Sequence, residues 1–170
     1  QICKTQTIKC APYGIIPDEF PVCLKPITNL YGMGWGSHII RNIYEYNNFS
    51  IAGCFWMTFL NGPHLSYDFI LVNGEIKWFI CFQGYPSGKG MFDRWETLPN
   101  KELPIFLTEW ISKYLNQSDK KYTGCLNIET IDDKMIECHL RLGDSNQLYF
   151  NRQSDIVIKS IINVYQRKEV

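Results

Sequence analysis

The feature that most constrains how this chain can fold is the dipeptide Asn73-Gly74, which separates two runs of β-forming residues. LSYDFILV precedes it and EIKWFICFQ follows it. Asn-Gly readily adopts the positive φ angles of a two-residue hairpin turn, whose twist matches that of the strands it joins. The sequence therefore predicts an antiparallel strand pair in the middle of the chain, and the remaining elements must extend or cover that pair.

A second hairpin is predicted later in the chain, where two aspartates separate GCLNIETI from KMIECHLRL. Residues two apart in a strand lie on one face, so Glu137, His139 and Arg141 share a face. Close pairing of the two strands would bring Glu129 near them. Carboxylates placed in this way indicate either a Mg²⁺ site or a solvent-facing polar surface paired with Arg141. The spacing alone does not decide between these two interpretations.

Two amphipathic segments, about 104–117 and about 154–167, repeat apolar residues at helical spacing and predict the two main helices. Residues 84–100 are rich in glycine and proline, and we expect a long loop there. The resulting order of strands, hairpin, helix, hairpin and helix predicts an α+β fold with mixed or antiparallel sheets.

Composition narrows the classes of partner. A chain of 170 residues is the size of one compact domain, and 45% hydrophobic residues favour a packed globule. With 17 basic and 17 acidic residues the net charge is zero, so no overall charge favours nucleic acid or a membrane surface. The longest apolar stretch, residues 51–60, is shorter than the about 20 residues of a membrane helix. We expect neither partner, and the composition indicates no oligomeric state.

The chain has seven cysteines, an odd number, and no CxxC motif. Most lie in apolar, strand-like runs, whereas a secreted disulfide framework places them in loops. The N-terminal sequence QICKTQTIKC also lacks the apolar core of a signal peptide, although it begins with Gln rather than Met and an upstream segment can be missing. These features predict a cytoplasmic protein whose cysteines are reduced, with disulfides or a zinc site as the alternative.

Two further motifs contain residues that could bind a ligand or take part in catalysis. Lys25 lies inside the apolar run FPVCLKP, where its ammonium group must reach solvent or a partner. The segment GMGWGSH has glycine at every second position, which allows backbone N–H groups to approach phosphate oxygens. Taken alone, Lys25 also fits a lysine on an edge strand. Taken alone, GMGWGSH also fits an ordinary hairpin turn.

Taken in order, these motifs resemble the ATP-grasp superfamily. FPVCLKPITNLYGMGWGSHIIRNIYEY resembles its strand–loop–strand, in which a lysine precedes a glycine-rich loop over the nucleotide. FWMTFLNGPHLSYDFILVNGEIKWF resembles its hinge strand and the hairpin that follows, and NIETIDDKMIECHLRLGD resembles its closing hairpin. The resemblance runs from about Phe20 to Asp144. It implies one ATP-grasp-like domain over 1–170, with a small lobe at about 20–60 and a larger one at about 61–170.

The resemblance implies two cofactors, ATP and Mg²⁺. Lys25 would contact the nucleotide phosphates. A glycine-rich loop would cover those phosphates through Gly32, Gly34 and Gly36. The adenine would lie against a hinge strand that contributes Trp56, Met57, Thr58 and Phe59.

The resemblance also implies that the second hairpin binds the metal. Glu129 and Glu137 would be Mg²⁺ ligands, and His139 stands where the family has a metal-binding asparagine. Arg141 would lie beside the phosphate that is transferred. Lys25 and Arg141 are therefore the predicted catalytic residues.

The implied activity is that of an ATP- and Mg-dependent ligase, which phosphorylates a carboxylate for attack by an amine or similar nucleophile. Its partners would be ATP and an unidentified small-molecule or peptide substrate. The family's upstream phosphate-binding lysine and its preceding domain have no certain match in this sequence. The alternatives are a catalytically degenerate ATP-grasp-like module that binds nucleotide or protein, and an unrelated α+β interaction domain.

Overall fold

The computed structural model describes residues 2–28, 34–49, 52–88, 91–116, 121–143 and 158–166. Within them the fold is α+β, with two antiparallel sheets and four helices. The helices are α1 Ile2–Thr5, α2 Ile43–Asn48, α3 Ile105–Leu115 and α4 at 158–165. The strands are β1 Cys10–Pro12, β2 Val22–Pro26, β3 His38–Ile40, β4 Cys54–Thr58, β5 His64–Val72, β6 Glu75–Gly88, β7 Met91–Thr97, β8 Gly124–Ile131 and β9 Lys134–His139. The predicted fold class is confirmed.

The first sheet has the strand order β1-β4-β2-β3 and is antiparallel throughout. Two side-chain bonds cap the start of helix α2. Asn42 Oδ1 accepts from the Glu45 backbone N at 2.9 Å, and the Glu45 carboxylate accepts from the Arg41 backbone N at 2.7 Å. Tyr46 of this helix belongs to the buried core of the sheet. The other members of that core are Val22, Leu24, Ile40, Cys54 and Trp56.

The second sheet has the strand order β7-β6-β5-β8-β9 and contains both predicted hairpins. Asn73 and Gly74 have φ angles of 51° and 79°, and the two turn aspartates, Asp132 and Asp133, have φ angles of 51° and 54°. Positive φ at both central residues is the signature of the two-residue turn expected from the sequence.

The prediction of a long loop at 84–100 was wrong. Strand β6 extends to Gly88, and strand β7 runs from Met91 to Thr97. The glycines and prolines there suggested a loop, but the segment also carries three β-forming aromatic residues, Tyr85, Phe92 and Trp95. One cross-strand pair is visible, since Arg94 Cζ lies 3.9 Å from the centroid of the Tyr85 ring. Residues 98–104 remain without regular structure.

Both predicted main helices are present. Helix α3 buries Leu107 and Ile111, which are four residues apart. Helix α4 falls inside the predicted 154–167 segment, and the predicted caps Ser154 and Asp155 lie outside the described residues. No helix in the described part of the chain is long and apolar enough to cross a membrane.

The chain divides into two compact units that are not continuous in sequence. The first comprises Gln1–His64, Tyr85–Arg94 and Thr130–Ile136. The second comprises Leu65–Gly84, Trp95–Glu129 and Glu137–Val170. Each unit has buried apolar clusters of its own, one around Met57 in the first and one around Ile70, Cys125 and Val164 in the second.

Candidate functional site

Lys25 lies on the face of the first sheet that points away from α2. It pairs with Phe55, and Cys23 pairs with Met57. Since side chains alternate along a strand, these four residues share one face. Lys25 is half-buried, and Met57 is buried. Burial raises the pKa of the Cys23 thiol, and the Lys25 ammonium partly opposes that rise, so the cation lies close to Cys23.

The predicted hinge residues are divided between the two faces of β4. Met57 lies on the face of Lys25, whereas Trp56 pairs with Leu24 on the opposite face. The Trp56 ring is buried there, and its Nε1 donates to the Ile15 carbonyl at 2.6 Å. The structure therefore brings Met57, and not the Trp56 ring, to the face of Lys25. Thr58, which is exposed, ends the strand, and the half-buried Phe59 follows it.

The described part of the glycine-rich loop forms a tight turn. Gly34 and Gly36 have φ angles of 65° and 79°, and Ser37 N donates to the Gly34 carbonyl at 3.0 Å. A Cβ atom at Gly36 would lie 3.6 Å from Pro26 Cγ, so the loop passes close to the residue that follows Lys25. Gly32 lies outside the described residues.

The second hairpin carries the predicted metal ligands within the second unit. On β9, His139 Nε2 lies 3.2 Å from Glu137 Oε2, and both side chains are about one-third exposed, at 37% and 35%. Glu129 on β8 is half-buried. Arg141 is exposed just beyond β9, and its Nη1 donates to the Leu142 carbonyl at 2.8 Å. The structure thus brings Glu137 and His139 into direct contact.

The assignment of Glu129, Glu137 and His139 to a metal site stays a prediction. Among the described residues, no group of three or more His, Cys, Asp or Glu side chains could hold a metal ion. Mg²⁺ commonly binds through one or two carboxylates and completes its shell with water and substrate phosphates. Imidazole is a poor ligand for Mg²⁺, so the contact of His139 with Glu137 suits orientation of the carboxylate better than ligation.

A buried polar network in the second unit was not predicted from the sequence. Asp68 on β5 is fully buried, and its Oδ1 accepts from Asn127 Nδ2 at 2.9 Å and from Gly143 N at 2.7 Å. Asn127 Nδ2 also lies 2.9 Å from Ser66 Oγ. A buried carboxylate requires such donors, because desolvating it without them is costly. The signal in the sequence is an aspartate inside the apolar run YDFILV.

A cavity of about 550 Å³ opens beside α2 and β3 in the first unit. Its lining includes His38, Asn42, Tyr44, Glu45 and Phe49, and no predicted site residue. This cavity therefore gives no support to the predicted nucleotide site.

No protein-family model and no curated protein matches the sequence. Three solved structures illustrate what the fold is similar to. N5-carboxyaminoimidazole synthetase from Staphylococcus aureus, complexed with ADP, has a TM-score of 0.64 at 15% identity over 89% of this chain and 42% of its own. Phosphoribosylamine–glycine ligase from Thermotoga maritima has a TM-score of 0.64 at 15% identity over 99% of this chain and 53% of its own. D-alanine–D-alanine ligase from Bacillus anthracis has a TM-score of 0.56 at 14% identity over 98% of this chain and 64% of its own.

The chain thus spans between 42% and 64% of the length of these three enzymes. At this level of identity the likeness shows the fold alone. The resemblance predicted from the sequence motifs is confirmed at that level, and the chain has an ATP-grasp-like fold.

Proposed function

We propose that this chain is an ATP- and Mg-dependent ligase of the ATP-grasp type, which activates a carboxylate by phosphorylation for attack by an amine or similar nucleophile. The observation that carries the proposal is a half-buried lysine beside β4 in a fold similar to that of two ligases and a synthetase. Two of the similar structures were solved with a nucleotide, one with ADP and one with ATP. Because the chain covers only part of these enzymes, its acceptor substrate could depend on segments beyond it.

In the first unit, Lys25 would bind the nucleotide phosphates. An ammonium group acts as a point charge toward phosphate, and half-burial on an apolar face strengthens that attraction by lowering the local dielectric constant. Met57 lies on the same face, but its side chain is buried with Cys3 and Ile8, so the adenine would meet the strand mainly through its backbone. Gly34 and Gly36, together with Gly32, would cover the phosphates with backbone N–H groups.

In the second unit, Glu129 and Glu137 would hold Mg²⁺ when the nucleotide is bound. The metal would neutralise phosphate charge, which is the main requirement of phosphoryl transfer. The hydrogen bond from His139 would keep the Glu137 carboxylate in one orientation. The exposed guanidinium of Arg141 would bind the phosphate that is transferred.

His139 favours one second candidate, a catalytically degenerate module that still binds nucleotide. It occupies the position of the family's metal-binding asparagine, and an imidazole there weakens the case for Mg²⁺-dependent chemistry. ATP turnover in the presence of candidate carboxylate and amine substrates separates the two functions. Turnover supports the ligase, and tight binding without turnover supports the module.

Calorimetric titration of Mg-ATP tests the metal site. We expect Glu137→Gln to abolish Mg-dependent ATP binding without unfolding the hairpin, because the amide cannot supply the negative charge that Mg²⁺ requires. Glu75→Gln is the matched control, since Glu75 lies at the start of β6 in an exposed pair with Lys77 at 2.7 Å. It should bind Mg-ATP like the wild type. Equal binding heats in wild type and Glu137→Gln would contradict the assignment of the metal site.

A further inference from the structure

One peptide unit connects the buried network of the second unit to Arg141. The N–H of Gly143 donates to Asp68 Oδ1 at 2.7 Å. The carbonyl of the same peptide, that of Leu142, accepts from Arg141 Nη1 at 2.8 Å. Asp68 is fully buried, whereas Arg141 is exposed, so the peptide joins a fixed carboxylate to a guanidinium on the surface.

Two further contacts fix this peptide. The Leu142 side chain packs against the apolar cluster formed by Ile70, Cys125 and Val164. On the other side, Gly143 lies so close to the network that an added Cβ would be 2.8 Å from Asn127 Nδ2 and 3.3 Å from Asp68 Oδ1. A side chain at 143 would therefore push the peptide away from Asp68.

We infer that Asp68 is a positioning residue that orients the Arg141 guanidinium through the Leu142–Gly143 peptide. The inference rests on the proposed function, in which Arg141 binds the phosphate that is transferred. Asp68 lies 73 positions before Arg141 in the chain. Its role would be to position Arg141 and not to touch the nucleotide.

The physical reason is the rigidity of the peptide group. Because the peptide is planar and trans, its N–H and C=O point in opposite directions, and fixing one fixes the other. A hydrogen bond to a buried carboxylate is among the stronger ones available to a backbone N–H. An exposed arginine otherwise samples many rotamers, and ordering it on ligand binding costs free energy. An anchored acceptor at Leu142 reduces that cost before the phosphate arrives.

Packing of the apolar core does not require a carboxylate at position 68. Residues on either side of Asp68 in β5 are buried and mostly apolar, and a leucine of similar size would be buried there without requiring hydrogen-bond donors. The contacts of the aspartate include those with Asn127 and Gly143.

Calorimetric titration of Mg-ATP into a set of variants tests the inference. Asp68→Asn keeps an oxygen that can accept from both N–H donors, and we expect its Kd to stay within about 3-fold of the wild type. Asp68→Leu removes the acceptor and should raise the Kd about 10-fold or more. Gly143→Ala retains Asp68 but displaces the peptide, so it should raise the Kd by a similar factor. It provides the test if Asp68→Leu does not fold. Ser66→Ala is the control, because it removes a contact of Asn127 and leaves the bond between Asp68 and Gly143.

The double variant Asp68→Leu/Arg141→Ala separates positioning from general destabilisation. If Asp68 acts through Arg141, the double variant binds no more weakly than Arg141→Ala alone. Losses that multiply, or a Kd in folded Asp68→Leu equal to that of the wild type, would overturn this inference and leave the proposed function intact. A wild-type protein that does not bind Mg-ATP would overturn the proposed function together with the role of Arg141.

Discussion

Single residues show how the fold changes the chemistry of side chains that look ordinary in the sequence. All seven cysteines are free thiols in the structure, and four of them are buried: Cys3, Cys54, Cys81 and Cys125. Their reduced state in the cell remains a prediction. Lys25 and Cys81 illustrate two cases, a lysine placed on an apolar face and a thiol whose pKa is raised by burial.

Lys25→Met should weaken ATP binding with little change in the free energy of unfolding. Methionine retains most of the apolar stem and removes the charge that would bind phosphate. A hydrogen bond to a charged group contributes about 1.5–3 kcal/mol, so we expect a loss of that order in calorimetric titration. Lys77→Met is the control, because Lys77 is exposed and pairs with Glu75. ATP binding of wild-type strength by Lys25→Met would show that the lysine is an ordinary strand residue.

The stability of the fold should fall in alkaline solution partly because of Cys81. Burial raises the pKa of its thiol from 9.0 to about 11, although a hydrogen bond with Tyr67 and the charge of Lys101 act in the opposite direction. The unfolded thiol therefore ionises first, so its contribution to stability is complete below about pH 9 and is lost as the pH rises through about 11. Urea unfolding across this window should show a shallower decline for Cys81→Ala. Identical slopes would contradict the assigned burial effect.

Among the structural elements, the sequence best predicts those that depend on neighbouring residues, such as short turns. Both two-residue turns were predicted because Asn73-Gly74 and the aspartate pair determine their own backbone angles. The network around Asp68 was not predicted, because its bonds to Asn127 and Gly143 join residues 59 and 75 positions apart. Strands β6 and β7 were missed over residues 84–97 because the glycines and prolines outweighed the aromatic residues Tyr85, Phe92 and Trp95 in the prediction. Only cross-strand pairing decides between a loop and a strand there.

The Asn-Gly turn is also fixed by its surroundings, and a pair of glycine variants measures this. Gly74 and Gly53 have similar φ angles of 79° and 76°. A Cβ at Gly74 would lie 2.5 Å from Asn116 Oδ1, whereas at Gly53 it would meet nothing within 4 Å. Gly53→Ala should cost about 1–2 kcal/mol for the left-handed backbone alone.

Gly74→Ala should cost more than that, because Asn116 Nδ2 donates to the Gly74 carbonyl at 2.9 Å and must move. Urea unfolding of both variants gives the comparison. Equal losses would mean that the contact with Asn116 contributes nothing to the stability of the turn.

At the scale of the whole molecule, motif order proved more informative than any single motif. The lysine strand, the glycine-rich loop and the two hairpins are each common, but their sequence of occurrence indicated a fold that solved structures share at 14–15% identity. The acceptor substrate was not predictable, since the motifs concern ATP and Mg²⁺ alone. The chain also covers 42% of one similar enzyme and 53% of another, so segments beyond it could contribute to acceptor recognition.

The central claim is that the fold binds Mg-ATP, and thermal unfolding with and without the nucleotide tests it most directly. A ligand that binds only the folded state stabilises it by about 2.7 kcal/mol at a concentration 100 times its Kd. We expect a higher Tm in millimolar Mg-ATP than in Mg²⁺ alone, and a smaller shift for Lys25→Met. A Tm that is the same with and without millimolar Mg-ATP would contradict a nucleotide role for this protein.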